Sequence, residues 1–340
     1  MKNIVFITIV SALFFLNSCK SINEKASNTN DFYDDVPAVE LPVVPLKLKG
    51  EIDRNYTVDF SKLPLHSVLI AEAEISDSSF IGAYEYKGYS LHDILNNVKI
   101  SKKNITDFKP IVDLYIEVRN DKGESAFFSW GEIFYPTDKN KIIIAKSVTR
   151  IVPKKTNKLW VLPTKSKIVA GCDFFPERGI KNPSTIIVHS LNDYYEVNRT
   201  TQVKPQILKI KNNETLVKEL HDFPAYMTKA DMSSVFYGKG RGPHGITNFK
   251  GVFLKDVLLE YFKPDKEKIQ KGMFVIAGID GYRSAFTYAE VINRNDFKEF
   301  VIIDKDNYEN AGKFSLFAPP DFFSDRAIKS ISEIKFYLIE

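Results

Sequence analysis

The chain has 340 residues, long enough for two modest domains, and its 26 phenylalanines and 16 tyrosines supply the bulk to fill their cores. Its 47 basic and 43 acidic residues leave a formal net charge of only +4, and no basic cluster is interleaved with stacking aromatics, so nothing asks for nucleic acid. The two cysteines and five histidines fall into no Cys-x-x-Cys or His-x-x-x-His spacing, and the sequence has neither a Gly-x-Ser-x-Gly elbow nor a Walker A loop.

In chain order, Lys2 precedes an apolar run from Ile4 to Leu16, followed by Asn17, Ser18 and Cys19. This reads as a secretory signal over residues 1–19, too short and wrongly flanked for a membrane span. "LNSC" resembles the bacterial lipobox, which implies that Cys19 is diacylated and heads the mature chain; an ordinary signal peptide with an incidental cysteine is the alternative. Residues 20–45 are polar, acidic in "DFYDDVPAVE" and punctuated by Pro37, Pro42 and Pro45, and read as a disordered tether. The expected location is therefore the bacterial cell envelope, outside the cytoplasm, with the membrane engaged through an N-terminal lipid. If Cys19 carries lipid, Cys172 is the one remaining thiol and no intramolecular disulfide forms.

The rest of the chain says the same thing twice. "DFFPERGIKNPSTIIVH" from Asp173 returns as "DFFSDRAIKSISEIKFY" from Asp321, 148 residues on. "YEYKGYSLHDIL" (Tyr84 to Leu95) answers "TNFKGVFLKDVL" (Thr247 to Leu258), and "KGESAFFSWGEIF" answers "DGYRSAFTYAEVI". Three blocks in one order with unequal gaps predict two tandem modules, residues 46–191 and 206–340, because solenoid and propeller units are usually only about 20–50 residues. Each module reads as an edge strand, a strand ("SVLIAEAEIS", "AYMTKADMSS"), a glycine turn and a short amphipathic helix carrying Leu91, Ile94 and Leu95 or Leu254, Val257 and Leu258. A β-rich run, a tight turn and a return strand follow, then another strand ("LWVLP", "FSLFAPP"), the Asp-Phe-Phe-x-x-Arg turn and a closing strand. The expected class is α+β: two strand-rich modules with short helices. Glu132 and Glu290 correspond across the copies, as at a shared helix start, and Arg178 and Arg326 each follow an aspartate by five residues, as in an Asp–Arg clasp.

"FKGVFLKDVL", "GIDGYRSAFTYAEV" and "FSLFAPPDFFSDRAIKSISEIKF", in that order, resemble the sulfite-oxidase-like molybdopterin-binding oxidoreductase fold over about the last hundred residues. The first module shares the likeness only through its relation to the second. The resemblance implies a molybdopterin pocket with a cysteine thiolate on molybdenum, upstream of the glycine. Neither Ala225 to Phe249 nor Ser67 to Tyr86 holds a cysteine, and Cys172 aligns with Pro320 in the closing part of the module. The n-region "MKN" also lacks the twin arginines of folded export. The expectation is thus a fold without a cysteine-ligated centre and without a cofactor, molybdopterin standing as a possibility by resemblance alone.

The densest polar stretch is "YGKGRGPHG" (Tyr237 to Gly245), where Lys239, Arg241 and His244 could complete a glycine-built anion nest. The first module has no such stretch, which favours the second as the working half; a loop tip whose glycines serve only conformation is the competing reading. In Asp280-Gly281-Tyr282-Arg283, the resemblance places Tyr282 to stack on a planar ligand and Arg283 to bind an anion, against the plainer reading of a hairpin turn with Tyr282 covering the core. The expected function is non-catalytic binding of a small anionic or planar ligand, or of an envelope protein. A molybdopterin-dependent oxidoreductase or electron-transfer component without the cysteine is the alternative, and a purely structural lipoprotein is the third.

Overall fold

The structure, a computed structural model, describes residues 37–152, 159–196, 207–238, 242–304 and 312–340. The signal segment with Cys19, the first part of the tether, Lys239 and Arg241 lie outside the described residues.

In the first module the strands are β1 (Val39–Glu40), β2 (Lys47–Gly50), β3 (Tyr56–Thr57), β4 (His66–Ala73), β5 (Phe80–Ser90), β6 (Leu114–Asn120), β7 (Ser125–Ser129), β8 (Ile142–Arg150), β9 (Ile168–Ala170) and β10 (Pro183–Ser190). The second continues with β11 (Leu208–Asn212), β12 (Thr215–Leu220), β13 (Lys229–Gly238), β14 (Gly242–Phe253), β15 (Gly272–Gly278), β16 (Arg283–Thr287), β17 (Val301–Asp304), β18 (Phe314–Phe317) and β19 (Ile331–Leu338). They form four small sheets, ordered β1-β8-β5-β4 with β9 beside β8, β3-β2-β10-β6-β7, β12-β11-β19-β15-β16, and β13-β14-β17-β18. The doubled sequence is thus a doubled topology, down to the one parallel pairing in each half, β2 with β10 and β11 with β19.

The α+β expectation is corrected. The described residues are mostly β, 46% strand against 12% helix, with four sheets set much as propeller blades are. The long repeat period argues against that arrangement, and the two are reconciled because each repeat supplies two sheets rather than one. The helices Leu91–Leu95, Trp130–Phe134, Leu254–Leu259, Lys266–Lys271 and Tyr288–Ile292 have only five or six residues, about 8–9 Å of length. Such pieces link strands and plug sheet ends; they cannot form a layer, so sheets cover sheets. On β6, Leu114, Ile116 and Val118 pack inside the first module with Ile144 and Ile168, while Tyr115 faces the other way onto Met273 and Val275 of β15. On β15, Phe274 and Ile276 turn into the second module's core. Burial on both faces explains why these strands read as continuous apolar runs rather than alternating ones.

Three local expectations change. Gly88 and Gly251 lie within β5 and β14 and not at turns; a Cβ there would stand 2.1 Å and 2.0 Å from the carbonyl oxygens of Ile144 and Ile302, so glycine allows the close strand approach. "LWVLP" is no strand but a strap over the first sheet. The folded chain also begins before residue 46: β1 pairs with β8, and Leu41 is buried in the core on that sheet's outer face.

The modules meet by reciprocal exchange. Phe174 N–H donates to the Asn293 carbonyl and Phe322 N–H to that of Tyr135, both at 2.7 Å, while Asn295 donates to Cys172 and Thr137 to Pro320. Behind these bonds sit the two clasps. Arg178 forks onto Asp173 (2.9 and 2.7 Å) and reaches Glu132 (2.9 Å); Arg326 forks onto Asp321 (2.8 and 2.7 Å) and reaches Glu290 (2.9 Å). Each glutamate closes the capping box of its short helix, with Ser129 or Thr287 as partner. The clasps cross over: Thr287 Oγ1 donates to Glu132 at 3.0 Å, and Arg326 donates to Ser129 Oγ at 3.3 Å.

Four carboxylates thus share two guanidiniums at a dry seam. Burial, with the charges of Glu290 and Asp173 acting in the same direction, pushes Glu132 up to about 7 despite Arg178. A carboxyl raised on folding stabilises the protein fully below its unfolded value, near 4.5, and that contribution is lost as pH climbs through about 7. The thermal midpoint is therefore expected to rise between pH 8 and pH 5, and Glu132→Gln to flatten that slope. A slope unchanged in Glu132→Gln would place the titration elsewhere.

Candidate functional site

A groove of about 770 Å³ borders the first module's outer sheet. Its floor is set by strand alternation. Tyr84 and Tyr86 of β5 point to one face, and Glu72 of the neighbouring β4 joins them. One wall is the strap of residues 161–165; the opposite wall is the β6–β7 turn from Asn120 to Glu124, with Lys181 and Asn182.

The strap is pinned at three points. Arg150 Nε donates to the Trp160 carbonyl (2.7 Å), Trp160 Nε1 to that of Ala83 (2.8 Å), and the Tyr84 hydroxyl to that of Val161 (2.7 Å). Gly82 makes room for this arrangement, since a Cβ there would lie 2.5 Å from both Trp160 Cδ1 and the Tyr84 hydroxyl. Burial raises the Tyr84 phenol to about 12, so the hydroxyl keeps its proton and remains a donor. Tyr84→Phe removes one pin and is expected to cost about 1 kcal/mol of stability. It should also make the strap more open to proteolysis in a timed digest; unchanged cleavage would show that the other two pins suffice.

At the floor lies a buried ion pair. Lys167 Nζ stands 2.5 Å from Glu72 Oε1 and 5.0 Å over the Tyr86 ring, and the Tyr86 hydroxyl donates to the same oxygen at 3.4 Å. Burial, reinforced by the Glu72 charge, holds the Tyr86 phenol far above its usual range. An ion pair out of water is often no more stabilising than apolar groups of similar volume, and the second module has adopted the apolar solution. Lys167 corresponds to Ser315 and Tyr86 to Phe249, while Phe236 stands level with Glu72. There Phe249 stacks on Phe317 at 3.6 Å, with Phe236 packed beside both. The polar floor is peculiar to the half that has the groove.

Above the floor, Ile81, Tyr84, Val161, Leu162 and Pro163 give apolar walls. Lys122, Lys165 and Lys181 stand exposed at the rim, and their ammonium groups have no partner among the described residues. The rim acids are engaged: Asp121 accepts from the Ser184 hydroxyl (2.5 Å) and Glu124 from the Asn120 amide (2.6 Å).

The residues singled out in the sequence fall elsewhere. Lys239 and Arg241 are outside the described residues, between the paired Gly238 and Gly242; His244 is placed on β14 by its backbone alone. Tyr282 packs against both module cores and donates its hydroxyl to the Asp325 carbonyl at 2.6 Å. Arg283, 1% exposed, lies 4.3 Å over Phe108 and 4.0 Å from Asp113 of the first module, with Nε and Nη1 unbonded among the described residues. The structure therefore brings Tyr282 and Arg283 into the seam and not to an open pocket. Glu72, Tyr86 and Lys167 were not singled out by sequence reasoning, although the contrasts Tyr86/Phe249 and Lys167/Ser315 were readable once the copies were aligned.

The donor set does not fit a thiolate-ligated metal. Among the described residues the one cysteine is Cys172, whose thiol is pushed up to about 12 by burial and by the carboxylates of Asp296 and Asp173, and so stays protonated. No group of three His, Cys, Asp or Glu side chains is arranged to hold a metal ion among the described residues, the seam carboxylates being taken up by Arg178 and Arg326. No family model and no curated protein matches the chain.

Proposed function

We propose that the protein is a non-catalytic binding protein of the bacterial cell envelope, held to the membrane by a lipid on Cys19, and that its ligand occupies the groove of the first module. One observation carries this reading: the first module keeps a buried Lys167–Glu72–Tyr86 cluster beneath a groove of about 770 Å³, where the second has packed aromatics. That volume is within the ordinary range for small-molecule sites, roughly 300–1,000 Å³. The protonated Cys172 and the absence of a cysteine upstream of either glycine support binding over molybdenum redox chemistry, whatever ancestry the second module's resemblance to sulfite-oxidase-like proteins reflects.

The test is gentle purification from native membranes, followed by mass spectrometry of released small molecules and assays for molybdenum and pterin. A stoichiometric small molecule is expected with the wild type and not with Thr164→Trp, whose indole fills the groove from the strap. Stoichiometric molybdenum with pterin would return the chain to the oxidoreductases, and equal recovery of the small molecule from both proteins would remove the groove from the argument.

A further inference from the structure

We infer that the groove selects an amphiphile with an anionic head at one end and a hydrogen-bonding group, such as a hydroxyl, at the other. This rests on the reading of the groove as the binding site and adds what that site recognises.

Three features of the groove specify the ligand. The rim offers the unpaired ammonium groups of Lys122, Lys165 and Lys181, while Asp121 and Glu124 already accept hydrogen bonds within the facing wall. A carboxylate, sulfate or phosphate ester gains charge-assisted hydrogen bonds there. The middle is apolar and takes a hydrocarbon body.

The floor adds the unusual requirement. Lys167 and Glu72 reach the groove from below, and a ligand ending in a methyl group would strip whatever solvation the pair keeps without returning a hydrogen bond. A distal hydroxyl can donate to Glu72 or accept from Lys167, so the floor rewards a polar far end and rejects a plain alkyl one. The second module, with Phe236 and Phe249 at these levels, has no such preference built in.

The experiment is isothermal titration of the whole protein with 12-hydroxylaurate, laurate and 1,12-dodecanediol, below their micelle or solubility limits. The expected order places 12-hydroxylaurate first, by about tenfold over each of the others, the scale of one hydrogen bond to a charged group. Lys122→Gln/Lys165→Gln/Lys181→Gln should erase the advantage over the diol and leave the advantage over laurate. Equal affinity for all three ligands in the wild type overturns this inference while leaving the groove as a site. Failure of all three to bind, with no difference between wild type and Thr164→Trp, overturns the groove reading itself. Sedimentation with phosphatidylglycerol vesicles separates a free amphiphile from a bilayer headgroup as source of the anion: vesicle binding lost in Thr164→Trp assigns a lipid to the groove. Vesicle binding that persists in Thr164→Trp but is lost in the lysine variant shows the lysines serving the bilayer surface and overturns the proposal.

Discussion

Arg326→Ala is expected to cost about 3–5 kcal/mol of folding stability, because it strands two carboxylates in a dry seam. Asp321 and Glu290 have almost no solvent contact, and both aim at one guanidinium. The site is cut to the shape of arginine: a Cβ on Gly131, from the other module, would stand 2.4 Å from Arg326 Nη1. Lysine is no remedy, since one ammonium cannot supply the two-pronged bond to Asp321 together with the third bond to Glu290. Arg326→Lys should therefore recover only a minor part of the loss. Urea unfolding monitored by tryptophan fluorescence measures both; a cost below about 1 kcal/mol for Arg326→Ala would mean that the carboxylates take up protons at little expense.

The second large effect is on binding. Transplanting the second module's solution into the first, as Glu72→Phe, Tyr86→Phe and Lys167→Ser together, should abolish ligand binding. Stability should stay unchanged or rise by about 1–4 kcal/mol, as for other buried ion pairs replaced by apolar groups. Lys167→Met alone should behave oppositely in stability, losing about 3–5 kcal/mol by leaving Glu72 buried without its cation. Comparing the two separates the cost of breaking the pair from the value of having it. A triple variant that still binds with wild-type affinity would show that the floor plays no part in recognition.

Much of the seam was legible in the sequence because it is local and repeated. Asp173 and Arg178 are five residues apart and recur as Asp321 and Arg326, and Glu132 and Glu290 each stand three residues after a hydroxyl side chain that caps a helix. The groove was not legible, because its lining comes from Val44, Glu72 to Tyr86, Asn120 to Glu124, and Val161 to Asn182, segments whose meeting depends on how sheets stack. The class was misjudged for a related reason. Leu91, Ile94 and Leu95 are truly helical and buried, but periodicity over five residues reveals a helix without revealing that the chain stops before it can roof a sheet. Glycine misled similarly: Gly88 resembles a turn in sequence, and only the Ile144 carbonyl beside it shows that bare backbone was needed for closeness. Arg283 stands in the sequence as a candidate anion ligand beside the plainer hairpin reading; in the fold its guanidinium lies within the seam, 4.0 Å from Asp113 of the other module, a meeting that no local pattern announces.

The reciprocal seam has a consequence for descent and assembly. When Phe174 bonds Asn293 and Phe322 bonds Tyr135 in the same way, the arrangement is that of a twofold homodimer in which residue i of one subunit meets j of the other and the reverse. The present chain has the arrangement of such a dimer with its subunits strung in series, and its halves differ, one with a charged floor and the other with an aromatic one. A polypeptide cut between residues 197 and 206 should accordingly yield two halves that are each insoluble alone, since Glu132 and Ser129 of one complete the polar partners of Thr287 and Arg326 of the other, yet recover the native fold when expressed together.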